Sequence, residues 1–356
     1  MNPEEVIAYL LEVQLLDARD FVCGAIRAQD RSARHRGVSV ETTTRPGYFV
    51  KHSPPGDVIG TLDSEATFYR LANGEGRLSA LRPFVPAFHR YDAARRTLVI
   101  ELASNAEPAR GGERRAFSIA RISQPLAHAL AACHSAGTED DQATRATFSR
   151  MLPWAFHIAF PSAAIFRDVG PLQLDVIKLI QRQPDVIERF RWLRREWKWS
   201  TFTHGDVRWS NVLVDDNDAI RLIDWETAGI GDPAWDIACA FEGWFSRALE
   251  TLPLRENDGP REASDAFAQI LPSLQEQTRQ LWLAYANARA LSQEERRTLL
   301  ECATALVGAR LIQSAYEWAR GRPQLSPFIL LSVQLGVNLL RQSPAQRATV
   351  LGLSAA

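Results

Sequence analysis

A chain of 356 residues is too long for one minimal core and fits two lobes. Apolar residues make up 46% and charged residues 23%, and 41 Lys+Arg against 42 Asp+Glu leave a formal charge of −1; this balance gives no support for wholesale binding to nucleic acid or to an anionic membrane surface. Cys23, Cys133, Cys239 and Cys302 are too scattered for a zinc site or a disulfide framework, so a reducing, cytoplasmic setting is expected. Glu4 and Glu5 stand where a secretory signal would carry positive charge. Phe328–Leu340 is the longest apolar stretch, but Ser332, Gln334, Gly336 and Asn338 interrupt it, and it reads as a core helix rather than a membrane span. Oligomeric state is not readable from this pattern.

In chain order, the β-branched run Val38–Thr43 reads as a strand, Arg45–Pro46–Gly47 as a turn and Tyr48–Lys51 as the returning strand. Ser64–Ala72 has helical spacing, with Phe68 and Leu71 three apart. Phe88–Tyr91 and Thr97–Leu102 flank the charged turn Asp92–Arg96 and form a hairpin. Near residue 105 the character changes. Ala106–Gly112 reads as a linker or loop, and helical patterns follow at Ile119–His134, at Leu172–Trp197 (split by Pro184) and at Leu281–Trp318 (two helices joined near Ser292). One strand-like island, Val212–Asp224, interrupts them. The expected fold class is α+β, with a small sheet-rich lobe over 1–105 and a larger helical lobe over 106–356.

The chemistry is concentrated in Thr203–His204–Gly205–Asp206–Val207–Arg208–Trp209–Ser210–Asn211–Val212–Leu213–Val214, followed by Leu222–Ile223–Asp224–Trp225–Glu226. Asp215–Asp218 reads as a hairpin turn, so Val212–Val214 should pair with Arg221–Ile223 and bring Asn211 and Asp224 to the same end. An amide and a carboxylate there offer oxygens to one hard cation, and Asp206 stands in the preceding loop. Transfer of a γ-phosphoryl group needs this inventory: one carboxylate for the acceptor hydroxyl, and an amide plus a second carboxylate for Mg²⁺.

The ordered set HGDxxxxN, an apolar strand, IDWE, and then Gly231–Asp232–Pro233–Ala234–Trp235–Asp236–Ile237–Ala238 resembles the aminoglycoside phosphotransferase/choline kinase-like family, relatives of the protein kinases. The resemblance implies a bilobal protein-kinase-like fold, with a nucleotide-binding lobe over 1–105, a catalytic and acceptor-binding lobe over 106–356, and ATP (or GTP) with Mg²⁺ as cofactors. It implies Asp206 as catalytic base, Asn211 and Asp224 as metal ligands, and Asp236 and His204 as supports of the catalytic loop. It also predicts a phosphate-binding lysine held by a helix glutamate, and Lys51 and Glu65, 14 residues apart, fit that pair. The hinge would follow the Thr97–Ile100 strand, with backbone groups of Glu101, Leu102 and Ala103 gripping adenine. In place of a GxGxxG loop the chain offers Arg31–Gly37, with one glycine and three arginines. Arg208 either stabilises transferred phosphate or an anionic acceptor, or forms a structural ion pair with Glu226 or Asp236.

Asp236 comes only 12 positions after Asp224, which leaves little room for a phosphorylation-gated segment and favours a small-molecule kinase. Residues 318–356 hold no Asp or Glu but include Arg320, Arg322, Arg341 and Arg347, which argues against a polycationic aminoglycoside, although Glu242, Glu301 and Glu317 can still contribute. Trp235, Trp244, Phe245, Tyr316 and Trp318 read as lobe core, with an aromatic-walled pocket as the alternative. A second substrate class is a Ser/Thr-containing peptide, as in lanthipeptide-type maturation, with the arginines of Ile180–Arg195 available to an acidic leader; those arginines otherwise form a solvated helix face. A third reading, a nucleotide-binding pseudokinase, is disfavoured because Lys51, Glu65, Asp206, Asn211 and Asp224 are all present.

Overall fold

The structure is a computed structural model. It describes residues 1–31, 36–53, 61–110, 120–137, 142–150, 152–163, 165–167, 169–252 and 260–353. In chain order the elements are α1 (Pro3–Glu12), α2 (Ala18–Val22), β1 (Ile26–Asp30), β2 (Arg36–Thr42), β3 (Tyr48–His52), α3 (Thr61–Asn73), β4 (Phe88–Asp92), β5 (Thr97–Glu101) and β6 (Ala106–Pro108). Next come α4 (Ala120–Ala136), α5 (Gln142–Thr147), α6 (Trp154–Ala159), α7 (Pro171–Gln181), α8 (Pro184–Glu196), β7 (Thr201–Thr203), β8 (Val212–Asp215), β9 (Ile220–Leu222) and β10 (Gly229–Gly231). The chain ends with α9 (Pro233–Thr251), α10 (Pro260–Ala288), α11 (Gln293–Trp318), α12 (Pro327–Arg341) and α13 (Pro344–Val350). By contacts it divides into two units: Met1–Arg114 with Ser210–Ala228, and Arg115–Trp209 with Gly229–Ala356. The contact units cut the chain three times, where the sequence reading cut it once.

The first unit is built on an antiparallel sheet of order β1-β2-β3-β5-β4. Side chains alternate between the faces of a strand. Val38 and Val40 of β2 and Tyr48 and Val50 of β3 therefore share one face and pack against Val6, Tyr9 and Leu10 of α1. The same alternation turns Lys51 to the other face. α3 buries Leu62, Glu65, Ala66, Phe68, Tyr69 and Ala72, the spacing of a single helical stripe. Glu65 thus lies in the middle of an apolar face and needs a cation.

The expected hairpin forms, with Val212 opposite Leu222 and Val214 opposite Ile220. Asp215 closes its turn by accepting from the backbone N–H groups of Asn217 (2.8 Å) and Ala219 (2.9 Å). The structure corrects the linker reading of Ala106–Gly112: Ala106–Pro108 is β6, paired with β8 from Ala106↔Asp215 to Pro108↔Leu213. Three residues carry no periodicity of their own, and only the long-range pairing reveals them as a strand.

Among the described residues, the second unit is mainly helical, with the β7–β10 pair and one isolated bridge, Arg150↔Ile230. Its axis is α11, buried without interruption from Ala303 to Tyr316. α11 meets α12 where Gly308 and Gly336 face each other; a Cβ on either would lie 2.7 Å from the other's carbonyl oxygen. Trp235, Trp244, Phe245 and Tyr316 are core, as read from the sequence, while Trp318 is half-buried. Among the described residues, no helix is long and apolar enough to cross a membrane.

Candidate active site

Lys51, Glu65 and Asp224 come together inside the first unit. Lys51 Nζ donates to Glu65 Oε1 (2.7 Å) and Oε2 (3.0 Å), and to Asp224 Oδ1 (2.7 Å). Burial works against the lysine's charge, but the two carboxylates outweigh it and its pKa is raised. Glu65 is pushed up, first by burial, with Lys51 opposing. Asp224 adopts the left-handed conformation (φ 66°, ψ 56°), which is uncommon outside glycine and tolerated by Asp. Trp225 follows it, stacks on Phe68 of α3 with ring centroids 3.8 Å apart, and donates its indole N–H to Leu222 O at 2.9 Å. Packing thus fixes the backbone that aims the Asp224 carboxylate.

Asn211 sits at the same end of the hairpin, where its carbonyl oxygen accepts from Ile223 N–H at 3.0 Å. Its side chain is buried, and Ser210 Oγ donates to its Oδ1 at 3.4 Å. An amide oxygen and a carboxylate are hard donors of the kind Mg²⁺ prefers. At the hinge position, Glu101 N–H is donated to Ala87 O (2.8 Å) and Leu102 N–H to Gly47 O (2.9 Å). The Arg31–Gly37 loop lies largely outside the described residues.

Asp206 belongs to the second unit, five residues before Asn211 in the chain. Its loop hangs on Asp236: one carboxylate oxygen accepts from His204 N–H (2.7 Å), the other from Gly205 N–H (2.9 Å). Gly205 takes φ 82°, a conformation that favours glycine, and its carbonyl accepts from Trp235 Nε1 at 2.8 Å. His204 Nδ1 in turn accepts from the Asp206 N–H at 3.3 Å. Behind Asp236 stand His134, with Nε2 3.2 Å from Oδ2, and Tyr285, whose hydroxyl lies 2.8 Å from His134 Nδ1. Sequence reading missed both residues; they lie on α4 and α10, which contain no motif.

Instead of Glu226 or Asp236, the partners proposed from sequence, the acids that Arg208 engages within its own unit are Asp206 and Glu317. Its Nε donates to Asp206 Oδ2 at 2.7 Å, Nη2 lies 2.6 Å from the same oxygen, and Nη1 lies 3.5 Å from Glu317 Oε2. Burial opposes this charge, but Asp206 and Glu317 raise the arginine's pKa.

The chain belongs to the phosphotransferase enzyme family, whose sequence pattern it matches over residues 27–270. It is therefore an enzyme of the kinase type, a phosphotransferase acting on a hydroxyl group. Among solved structures it is similar to a choline kinase from Cryptosporidium parvum Iowa II (11% identity, 99% of this chain and 98% of that one, TM-score 0.60). It is also similar to a choline/ethanolamine kinase family protein from Mesorhizobium loti (16% identity, all of both chains, TM-score 0.56). A third is the macrolide 2'-phosphotransferase MphH from Brachybacterium faecium (15% identity, 94% and 98%, TM-score 0.50). At these identities the likeness is one of fold, and it confirms the α+β kinase-like class. No curated protein matches the sequence.

Proposed function

We propose that this enzyme transfers the γ-phosphate of ATP, with Mg²⁺, to a hydroxyl of a small molecule other than an aminoglycoside. The observation that carries the reading is Lys51 clamped between Glu65 and Asp224. A cation held that firmly in a lobe of this family suits the phosphates of a nucleotide. Asn211 and Asp224 would hold Mg²⁺, which when bound neutralises phosphate charge. Asp206 orients the acceptor hydroxyl and takes its proton; Asp236 keeps the Asp206 loop in place. Arg208, bonded to Asp206, stands ready to meet transferred phosphate. Backbone groups at Glu101, Leu102 and Ala103 remain the proposed contact for adenine, within the limits set by their hydrogen bonds.

The acceptor reading rests on charge. Two of the three acids that could attract a polycation, Glu242 and Glu317, are engaged, Glu301 being the third: Ser314 Oγ and Ser246 Oγ donate to Glu242, and Glu317 faces Arg208 and Arg310. The choline kinase and the macrolide phosphotransferase that share the fold are named for small acceptors. A peptide acceptor loses its support on α8, where Arg191 pairs with Glu188 at 2.8 Å and Arg189 Nε donates to Leu340 O at 3.2 Å. The four cysteines are free thiols, which suits the cytoplasmic setting we propose.

The test is transfer of labelled γ-phosphate from Mg·ATP to a panel of amino alcohols, sugars, macrolides and Ser/Thr peptides. Asp206→Asn should retain Mg·ATP binding and lose transfer by about 10²–10⁴-fold. Undiminished transfer in that variant would remove the proposed base, and transfer only to peptides would reverse the acceptor class.

A further inference from the structure

Behind Asp206 lies a set of charges that the proposed chemistry leaves unexplained. Arg310, Ser314 and Glu317 recur at i, i+4 and i+7 of α11 and so share one face. The continuous burial of that helix fixes Arg310 from all sides, and its side chain is only 2% exposed. Arg310 Nη1 donates to Ser314 Oγ at 2.9 Å and lies 3.7 Å from Glu317 Oε2, while Nη2 lies 3.8 Å from Asp206 Oδ1. Arg208 joins the other side, touching Asp206 Oδ2 and Glu317 Oε2. The result is a closed ring of alternating sign: Asp206, Arg208, Glu317, Arg310. Gln313 Nε2 steadies its outer joint by donating to Glu317 Oε1 at 2.9 Å.

Arg310 Nε is buried without a hydrogen-bond partner. A methionine would fill such a position without the cost of burying a guanidinium, so packing alone does not account for an arginine here. Its charge is nevertheless held: burial works against it, but Glu317, Glu242 and Asp206 raise its pKa. The ring also makes the two Asp206 oxygens inequivalent, since Arg208 makes both short contacts with Oδ2 while Oδ1 faces Arg310 at the longer distance.

We infer that Arg310 and Glu317 are positioning residues that, with Arg208, fix the orientation of the Asp206 carboxylate. This inference rests on the reading of Asp206 as the base. Glu317 holds the outer nitrogen of Arg208, whose inner face is already on Asp206 Oδ2, and draws Arg310 back from Oδ1; Arg310 supplies the buried anchor. Without Glu317, Arg208 loses its outer partner and Arg310 is free to approach Asp206 Oδ1, so the carboxylate is no longer held in one orientation for the acceptor hydroxyl.

The test uses the full-length enzyme, Mg·ATP and water as the acceptor, reading phosphate release at saturating nucleotide alongside Mg·ATP affinity. Glu317→Gln, an isosteric change at a partly exposed position, should lower turnover at least tenfold and leave Mg·ATP affinity within twofold. Arg310→Met should do the same, and Arg310→Lys should restore part of the loss, since it returns the charge without the fork. Should Arg310→Met fail to fold, Glu317→Gln decides. Turnover of Glu317→Gln within twofold of wild type, while Asp206→Asn abolishes it, overturns this inference alone. Turnover unaffected by Asp206→Asn overturns the assignment of the base. A crystal structure of Glu317→Gln should show the Arg208 guanidinium displaced; unchanged Arg208 and Asp206 conformers would also overturn the inference.

Discussion

Lys51 shows how one residue serves both stability and chemistry. Its folded pKa is raised, with the Glu65 and Asp224 carboxylates opposing and outweighing burial. A raised lysine contributes stability that is fully present below its unfolded pKa of about 10.4 and is lost as pH rises through the folded value. The Lys51 contribution should therefore be flat between pH 7 and 9. Lys51→Met leaves Glu65 buried without its cation, a loss on the order of 3–5 kcal/mol. Glu65 is already raised by burial, and more so once Lys51 is gone. The penalty should thus shrink as pH falls and Glu65 becomes protonated in the variant. Urea unfolding of both proteins from pH 5 to 9 checks this; a gap that widens on acidification would contradict it. Asp224→Asn removes a proposed Mg²⁺ ligand and should weaken Mg·ATP binding, while Lys51 keeps Glu65 as its ion-pair partner. Unchanged Mg·ATP affinity in that variant would contradict the proposed ligand role.

At the scale of elements, what could be read from the sequence was what the chain writes locally. Val212–Leu222 carries alternating apolar residues and an Asp-rich turn in one short stretch, so its pairing could be read without a partner. The Lys51–Glu65 pair was legible only through the family resemblance, which calls for a strand lysine held by a helix glutamate; alone, Lys51 reads as a surface strand lysine. β6 was not, because its evidence lies in β8, about a hundred residues away. Nor was the Arg310–Ser314–Glu317 face. From Ala303 to Tyr316 α11 is buried all round and lacks the polar stripe that would set one side apart. The same burial explains its close approach to α12. Gly308→Ala would set a Cβ 2.7 Å from the Gly336 carbonyl, a backbone atom that cannot swing aside. The helices must separate, at a cost of about 1–3 kcal/mol. A fall in urea midpoint without a change in slope would report this; an unchanged midpoint would show that the crossing has room.

For the whole molecule, the consequence lies in how the first unit is assembled from two distant stretches, Met1–Arg114 and Ser210–Ala228. The second stretch supplies Asn211, Asp224 and Trp225. Phe68, fully buried in the complete chain, has the Trp225 indole stacked on its ring. Aromatic stacking of this kind adds about 0.5–1.5 kcal/mol beyond the area it buries. The Asp224 carboxylate likewise completes the clamp on Lys51. A fragment ending at Arg114 loses the ion-pair partner, the aromatic cover and β8, the strand to which β6 bonds. It keeps Glu65, so Lys51 remains paired, but with one carboxylate in place of two. We therefore expect residues 1–114 alone to melt well below the full chain and to show no Mg·ATP-dependent thermal shift. The full chain should gain about 2.7 kcal/mol at a nucleotide concentration a hundred times its Kd. A fragment that binds Mg·ATP as tightly as the intact enzyme would mean that the hairpin carries no part of the nucleotide site.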